Sequence, residues 1–109
     1  MKVLFSPLVR SCFQEMEEIL YEKENFGFED SAIQYVRELI FEIRDTLPMC
    51  RKKPAPSYFN RFGKNLCYSR FRKNKATQWY VFFTIYSVNG EEVYLVQYLS
   101  NNHVISKYL

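Results

Sequence analysis

Apolar residues recur at three- and four-residue spacing in two segments of the first half of the chain, with charged residues between them. This period places apolar side chains on one face of a helix, so each segment is predicted to form an amphipathic helix. The apolar positions are Val9, Cys12, Phe13, Met16, Ile19 and Leu20 in the first segment, and Ala32, Val36, Leu39, Ile40, Ile43 and Leu47 in the second.

Start and stop signals bound both predicted helices. Ser6 is suited to accept hydrogen bonds from the free N–H groups of a first turn, and Pro7 suits the first helical position. The first helix is expected to end near residues 25–27, and the second to follow residues 29–31 and stop at Pro48. The two helices should therefore form an antiparallel hairpin joined by a short turn that contains glycine.

Strands are predicted where the pattern changes to alternation or to a short apolar run. The run from Lys2 to Phe5 leads straight into the first helix. In the second half, strands are expected over Leu66 to Arg72, Gln78 to Ser87 and Val93 to Leu99, and Asn89-Gly90 is a strong signal for a tight hairpin. The order strand, helix, helix, strand, strand, strand predicts an α+β fold in a single domain, residues 1–109.

The strand that starts at Gln78 carries hydrophobic side chains on both sides. One side has Trp79, Val81, Phe83 and Ile85, and the other has Tyr80, Phe82 and Tyr86. One of these faces should cover the helices. The second face then needs a partner or partial burial, because large apolar patches are rarely left open to water.

Charge divides the chain more sharply than its net value of +3 suggests. Residues 1–47 carry five Lys/Arg against ten Asp/Glu, whereas residues 48–109 carry ten against two. The second half is therefore suited to meet a polyanion and the first half is not. The alternative is that the two halves are solvated surfaces of different sign.

Other features narrow the class of protein. Three cysteines without C-x-x-C or Cys/His spacing indicate neither a disulfide framework nor a zinc site. No apolar run approaches the ~20 residues that span a bilayer, and the first residues lack a signal-peptide pattern, so a soluble, cytoplasmic protein without a membrane partner is expected. No metal or organic cofactor is expected, because histidine occurs once and there is no glycine-rich phosphate loop.

The candidate catalytic residues are suited to work on a phosphodiester. Cleavage of RNA by its own 2′-hydroxyl needs a base, an acid and fixed positive charge on the phosphate. His103 is the one side chain that both gives and takes protons near neutral pH, and Tyr108 could orient the phosphate or donate a proton. Arg70 and Arg72 share one face of their strand, where guanidinium groups can fork onto phosphate oxygens. The alternatives are an idle hydrogen-bonded His103, a Tyr108 that only packs, and arginines that grip the acidic half or a partner protein.

The segment from residue 49 to residue 63 is predicted to be irregular, since Pro54 and Pro56 disfavour helix. Basic residues in and beyond it extend the expected RNA-binding surface: Arg51, Lys52, Lys53, Arg61, Lys64 and Lys73. Tyr58, Phe59 and Phe62 are available to stack on bases. Equally, these aromatic side chains could tuck under the sheet while the lysines remain solvated.

The order of elements, with Phe5-Ser6-Pro7, Phe71-Arg72, the Trp79 to Phe83 strand and Asn101-Asn102-His103 before Tyr108, resembles the RelE/ParE superfamily of bacterial toxins from type II toxin–antitoxin systems. The resemblance spans essentially the whole chain, and the ending matches the His-x-x-x-x-Tyr of many members. It implies two N-terminal helices packed on a small antiparallel sheet, and a cognate antitoxin protein as partner.

The resemblance implies functions of two classes. RelE-like members are endoribonucleases that cut mRNA, usually on the ribosome, and ParE-like members poison DNA gyrase without nuclease activity. Because fold alone does not choose between them, the choice rests on the site. A His/Tyr pair with an arginine strand favours ribosome-dependent mRNA cleavage and thus translation inhibition; a gyrase poison and a catalytically inactive antitoxin-binding domain are the alternatives.

Overall fold

The computed structural model describes residues 1–23, 29–73 and 75–109. The turn predicted around residues 25–27 lies outside the described residues, as do the side chains of Ile19, Leu20 and Ala32. The helices are α1 (Pro7–Lys23), α2 (Glu29–Thr46) and α3 (Asn102–Ile105). The strands are β1 (Lys2–Phe5), β2 (Lys53–Pro54), β3 (Cys67–Arg72), β4 (Gln78–Val88) and β5 (Glu91–Asn101), and 3-10 turns cover Leu47–Met49, Ser57–Phe62 and Ser106–Tyr108.

The fold is α+β, as predicted, but the sheet is mixed rather than antiparallel. Its strand order is β1-β5-β4-β3-β2, and β1 runs parallel to β5 while the other neighbours are antiparallel. The prediction also missed β2, which has two residues and includes Pro54, a residue suited to an edge strand. Alternation reports which side of a strand is buried, and it does not report the neighbouring strand or its direction.

Local signals place the start of α1, the end of α2 and the hairpin correctly, whereas residues 29–31, which were expected to precede the second helix, already belong to α2. The Val9 N–H donates to Ser6 Oγ at 3.3 Å, which is the cap predicted for α1, and α2 gives way to a 3-10 turn just before Pro48. Between β4 and β5, Asn89 and Gly90 have φ angles of 51° and 80°. Positive φ at both positions is the mark of the tight hairpin turn that Asn-Gly predicts.

The larger core lies between the helices and one face of the sheet, which we call the helix face. The described side chains of both predicted helix stripes pack there, apart from Cys12, which is half-buried and not among the residues of this core. Trp79 Nε1 donates a hydrogen bond to the Tyr35 hydroxyl at 3.0 Å. Buried residues of this core are Val9, Phe13, Val36, Leu39, Ile43, Leu47, Phe71, Trp79, Val81, Phe83, Tyr94, Val96 and Leu99. The helix face is therefore closed by the first half of the chain.

The opposite side of the sheet, the second face, has a smaller core of its own. Phe59, Leu66, Phe82 and Ile105 are buried there. A bulge in β5 opposite Phe82 and Phe83 puts Gln97 and Tyr98 on this same face, and Gln97 Oε1 accepts a hydrogen bond from Thr84 Oγ1 at 2.7 Å. The chain itself, through the 57–62 turn and the 102–109 segment, covers the middle of the second face. The partner or partial burial expected for this face is thus partly supplied within the chain.

Candidate nucleic-acid interface

The second face changes character along the strands. Tyr98, Phe82 and Tyr68 form an aromatic row across β5, β4 and β3, and the next row towards the end of β5 contains Ser100, Tyr80 and Arg70. Beyond it, Arg72 pairs with Gln78. The alternation predicted for β3, with Tyr68, Arg70 and Arg72 on one side, is confirmed. The arginines therefore lie beside an aromatic floor at one end of the sheet.

The 57–62 turn covers the aromatic row. The Phe59 ring stacks on Phe82 with centroids 4.3 Å apart, and Phe62 stacks on Tyr98 at 3.8 Å. Phe59 is fully buried, whereas Tyr58 and Phe62 are half-buried. Of the two interpretations of these aromatic residues, packing under the sheet describes Phe59, and its ring is closed to a nucleic-acid base.

Tyr108 and Arg61 both contact Tyr58. The Tyr58 and Tyr108 rings lie parallel with centroids 3.7 Å apart, and the Arg61 guanidinium carbon is 4.1 Å from the Tyr58 centroid. Because Tyr108 occupies one face of the Tyr58 ring, the guanidinium must occupy the other. Desolvation, and next the neighbouring Tyr108 hydroxyl, raise the pKa of Tyr58. This stack attaches the 102–109 segment to the 57–62 turn, so Tyr108 and Arg61 both pack against Tyr58.

A groove of about 560 Å³ opens on the second face at the β3 side of the sheet. Its lining residues are Cys50, Arg51, Lys53, Tyr68, Ser69, Arg70, Tyr80 and Leu109. Three of them are cationic, and none of the described lining residues carries a carboxylate side chain. Because cations held together without acidic side chains between them create a positive potential, the groove is suited to an anion.

The segment before β2 is held against β3, which brings Arg51 and Lys53 to the groove. The buried Ser69 hydroxyl donates to the Arg51 carbonyl at 2.9 Å, and Lys53 pairs with Tyr68 in the β2/β3 ladder. The Arg51, Lys53 and Arg70 side chains are exposed. Among the residues that the structure describes, the two ion pairs lie elsewhere, so these three charges are not neutralised by them.

Other predicted RNA-binding residues lie outside the groove. Lys52 Nζ donates to the carbonyls of Pro48 and Cys50 at 3.0 and 3.1 Å, which ties it to the end of the 3-10 turn after α2. Lys73 Nζ lies 5.1 Å from the Tyr35 ring centroid, against α2. Both cations therefore contact groups on the helix side. Lys64 is exposed in the connection between the 57–62 turn and β3.

His103 lies in the first turn of α3 and is exposed, but it does not line the groove. Its backbone N–H donates to Asn101 Oδ1 at 2.9 Å. Asn102 accepts a hydrogen bond from the Gln78 N–H, and Gln78 pairs with Arg72, so Arg72 and His103 belong to the same end of the sheet. The four predicted catalytic residues are thus divided among the groove (Arg70), the sheet end (Arg72, His103) and the Tyr58 stack (Tyr108).

No protein-family model, no curated protein and no solved structure matches this chain. The site is therefore interpreted from its own geometry. In the parts of the chain that the structure describes, no group of three or more His, Cys, Asp or Glu side chains is arranged to hold a metal ion. Over the same residues, no helix is long and apolar enough to cross a membrane.

Sequence reasoning missed Tyr68, Tyr80 and the two asparagines before His103 as site residues. A signal for the tyrosines was present, because alternation puts Tyr68 on the arginine side of β3. Pairing Tyr80 with Arg70 required the register of β3 on β4, which only the structure supplies. For Asn101, the signal was the preference of asparagine for helix N-termini, whereas the bonds of Asn102 to the backbone before β4 have no local signal.

Proposed function

We propose that this chain is a RelE/ParE-like toxin that binds mRNA in the cationic groove and cleaves it on the ribosome. The observation that carries the proposal is the convergence of Arg51, Lys53 and Arg70 around Tyr68 and Tyr80, without a carboxylate side chain in the described lining. The α+β architecture, with two N-terminal helices on one face of a sheet, matches the outline of the fold that the resemblance implies, although the sheet is mixed and not antiparallel.

The groove has the two chemical elements that single-stranded RNA requires. Guanidinium and ammonium groups pair with phosphates, and tyrosine rings stack on bases without demanding a particular sequence. Three phosphate contacts on a single strand predict a salt slope of about −2, so affinity should fall roughly 20-fold between 50 and 200 mM salt. This dependence is the signature of about three phosphate contacts, the number of cations in the groove lining.

Cleavage would take place where the RNA leaves the groove towards α3. Arg70 and Arg72 lie two residues apart on β3, which is about 7 Å along the strand, and Asn102 lies about two strand spacings, roughly 10 Å, across the sheet from Arg72. The arginines would stabilise the charge that develops on the phosphate, and His103 would transfer the proton. Tyr108 would act through its stack on Tyr58, by holding the 102–109 segment in place.

A second candidate function is binding without hydrolysis, as in a gyrase poison or an inactive antitoxin-binding domain. The observation that favours it is the position of His103 outside the groove, together with the engagement of Tyr108 in packing. A gyrase poison requires a complementary surface and no proton transfer. In both functions the cationic groove is the surface that an acidic antitoxin segment would cover.

Primer extension on a translated message tests the proposal. Purified protein is compared with Arg70→Ala, Arg72→Ala and His103→Ala, and with Arg37→Ala as a matched control from the exposed side of α2. We expect cleavage by the unmodified protein and Arg37→Ala, and its loss in the other three. An intact message in every lane would refute the nuclease, and inhibition of DNA supercoiling by gyrase would then support the second candidate.

A further inference from the structure

Asn102 connects α3 to the start of β4 through both ends of its side-chain amide. Its Oδ1 accepts a hydrogen bond from the Gln78 N–H at 2.9 Å, and its Nδ2 donates to the Ala76 carbonyl at 3.1 Å. One side chain therefore pairs a donor and an acceptor of the backbone that precedes and begins β4. An amide is required for both bonds, since a carboxylate offers no donor and an aliphatic side chain offers neither group.

The next residue in the chain is His103, in a helix too short to be stable alone. Helix α3 has four residues, and isolated helices shorter than about 12 residues are marginal in water. Asn101 caps it by accepting hydrogen bonds from the His103 and Val104 N–H groups at 2.9 and 3.2 Å. The position of His103 therefore depends on side-chain bonds to α3 and on the burial of Ile105 beneath it.

The hydrogen bond from Gln78 also connects Asn102 to β3, the strand that carries Arg70 and Arg72. Gln78, whose N–H bonds to Asn102, pairs with Arg72 across the β3/β4 ladder, and its Oε1 accepts a hydrogen bond from the Tyr80 hydroxyl at 3.3 Å. Tyr80 in turn pairs with Arg70 and lines the groove. Gln78 of β4 thus connects α3, which carries His103, with β3, which carries the arginines.

We propose that Asn102 is a positioning residue for RNA cleavage, which sets the separation between His103 and the arginine strand. This inference rests on the function proposed above. Its physical basis is that the reacting groups must be held within a fraction of an ångström of their productive geometry, and a displacement of about 1 Å can cost roughly 100-fold in rate. Asn102 does not line the groove, and its side chain bonds to the backbone of Gln78 and Ala76, so it acts through His103.

Three variants separate positioning from binding and from folding. Asn102→Ala removes both hydrogen bonds, and Asn102→Asp keeps the acceptor for the Gln78 N–H but loses the donor to the Ala76 carbonyl. Asn60→Ala is the matched control, because Asn60 is exposed in the 57–62 turn. We expect kcat for cleavage of a ribosome-bound message, followed by primer extension, to fall about 10- to 100-fold in Asn102→Ala, with KM changed less than about 3-fold. The kcat of Asn102→Asp should lie between those of the unmodified protein and Asn102→Ala, and the kcat of Asn60→Ala should be unchanged.

A second measurement does not depend on turnover. The chain has one histidine, so its ring-proton NMR signals report His103 alone. We expect a 2′-deoxy oligonucleotide, which lacks the attacking hydroxyl, to shift these signals in the unmodified protein. In Asn102→Ala the shift should shrink while the Kd for the oligonucleotide stays within about 3-fold, because the groove cations are untouched.

The two measurements distinguish the failure of the inference from the failure of the proposed function. RNA cleavage by the unmodified protein with an unchanged kcat in Asn102→Ala would overturn the positioning role and leave the nuclease in place. Absence of cleavage of the translated message by the unmodified protein would refute the nuclease, and the role of Asn102 with it. Equal NMR shifts in both proteins would also overturn the positioning role. If Asn102→Ala fails to fold, Asn102→Asp decides, and an unchanged kcat there counts against the inference.

Discussion

Replacing Phe59 with alanine tests whether the second face of the sheet has a core of its own. The Phe59 side chain is fully buried, and its ring stacks on Phe82 and meets Tyr58 edge-on at 5.0 Å. A buried phenylalanine removes about 150–250 Å² from water, which at ~25 cal/mol per Å² gives an upper value of about 4–6 kcal/mol. Because Phe→Ala substitutions in cores cost about 3–5 kcal/mol, we expect the free energy of unfolding to fall by that amount.

Urea and thermal unfolding, followed by the fluorescence of Trp79 and by circular dichroism, measure this loss. For a chain near 100 residues each kcal/mol lowers Tm by about 4–5 °C, so Phe59→Ala should lower it by roughly 12–25 °C. The matched control is Phe41→Ala in α2, because Phe41 is 48% exposed. The Arg44 guanidinium carbon lies 4.8 Å from the Phe41 ring centroid.

Phe41→Ala should cost no more than about 1 kcal/mol, the value of an exposed cation–π contact. A variant with intermediate volume, Phe59→Leu, should lie between the two and remains measurable if the alanine variant does not fold. Equal losses for Phe59→Ala and Phe41→Ala would refute the reasoning, since the 57–62 turn would then contribute no buried core.

Two further results are expected. Ser69→Ala removes the hydrogen bond to the Arg51 carbonyl and should lower the free energy of unfolding, measured by urea titration, by about 1–2 kcal/mol. The control is Ser87→Ala, which should have no measurable effect because Ser87 is exposed. Similar losses for both variants would contradict a role for this bond. Burial, and next the Glu15 carboxylate, raise the pKa of the Cys12 thiol, and only the thiolate reacts. Iodoacetamide should therefore label Cys12 more slowly in the folded protein than in urea, and the difference between the two labelling rates should shrink as the pH rises. Mass spectrometry measures both rates, and equal rates near pH 8 would contradict a raised pKa of Cys12.

The candidate site was predictable where it depends on one element. Alternation along β3 assigned Arg70 and Arg72 to a common face, and the register on β4 confirms it. The same reasoning failed to separate Lys52 and Lys73 from the other cations. Their surroundings depend on contacts with the turn after α2 and with the ring of Tyr35, both distant from any local pattern.

The covering of the second face was also beyond local reasoning. The composition of residues 57–62 allowed two outcomes, base stacking or burial, because an aromatic ring suits both. The structure decides for Phe59 through its stack on Phe82, a contact between residues 23 positions apart in the chain. The same contact leaves the groove, rather than the aromatic row, as the open part of this face.

The sequence by itself determined the two amphipathic helices, the Asn-Gly hairpin and the side of β3 on which the arginines lie. These features depend on backbone periods and on turn chemistry, which act over a few residues. Tertiary structure alone decided that β1 lies parallel to β5, that the chain covers its own second face, and that Arg51, Lys53 and Arg70 converge while His103 lies outside the groove, at the same end of the sheet as Arg72. The reason is physical: periodicity states which side of an element is buried, and only the packing of distant segments states what buries it.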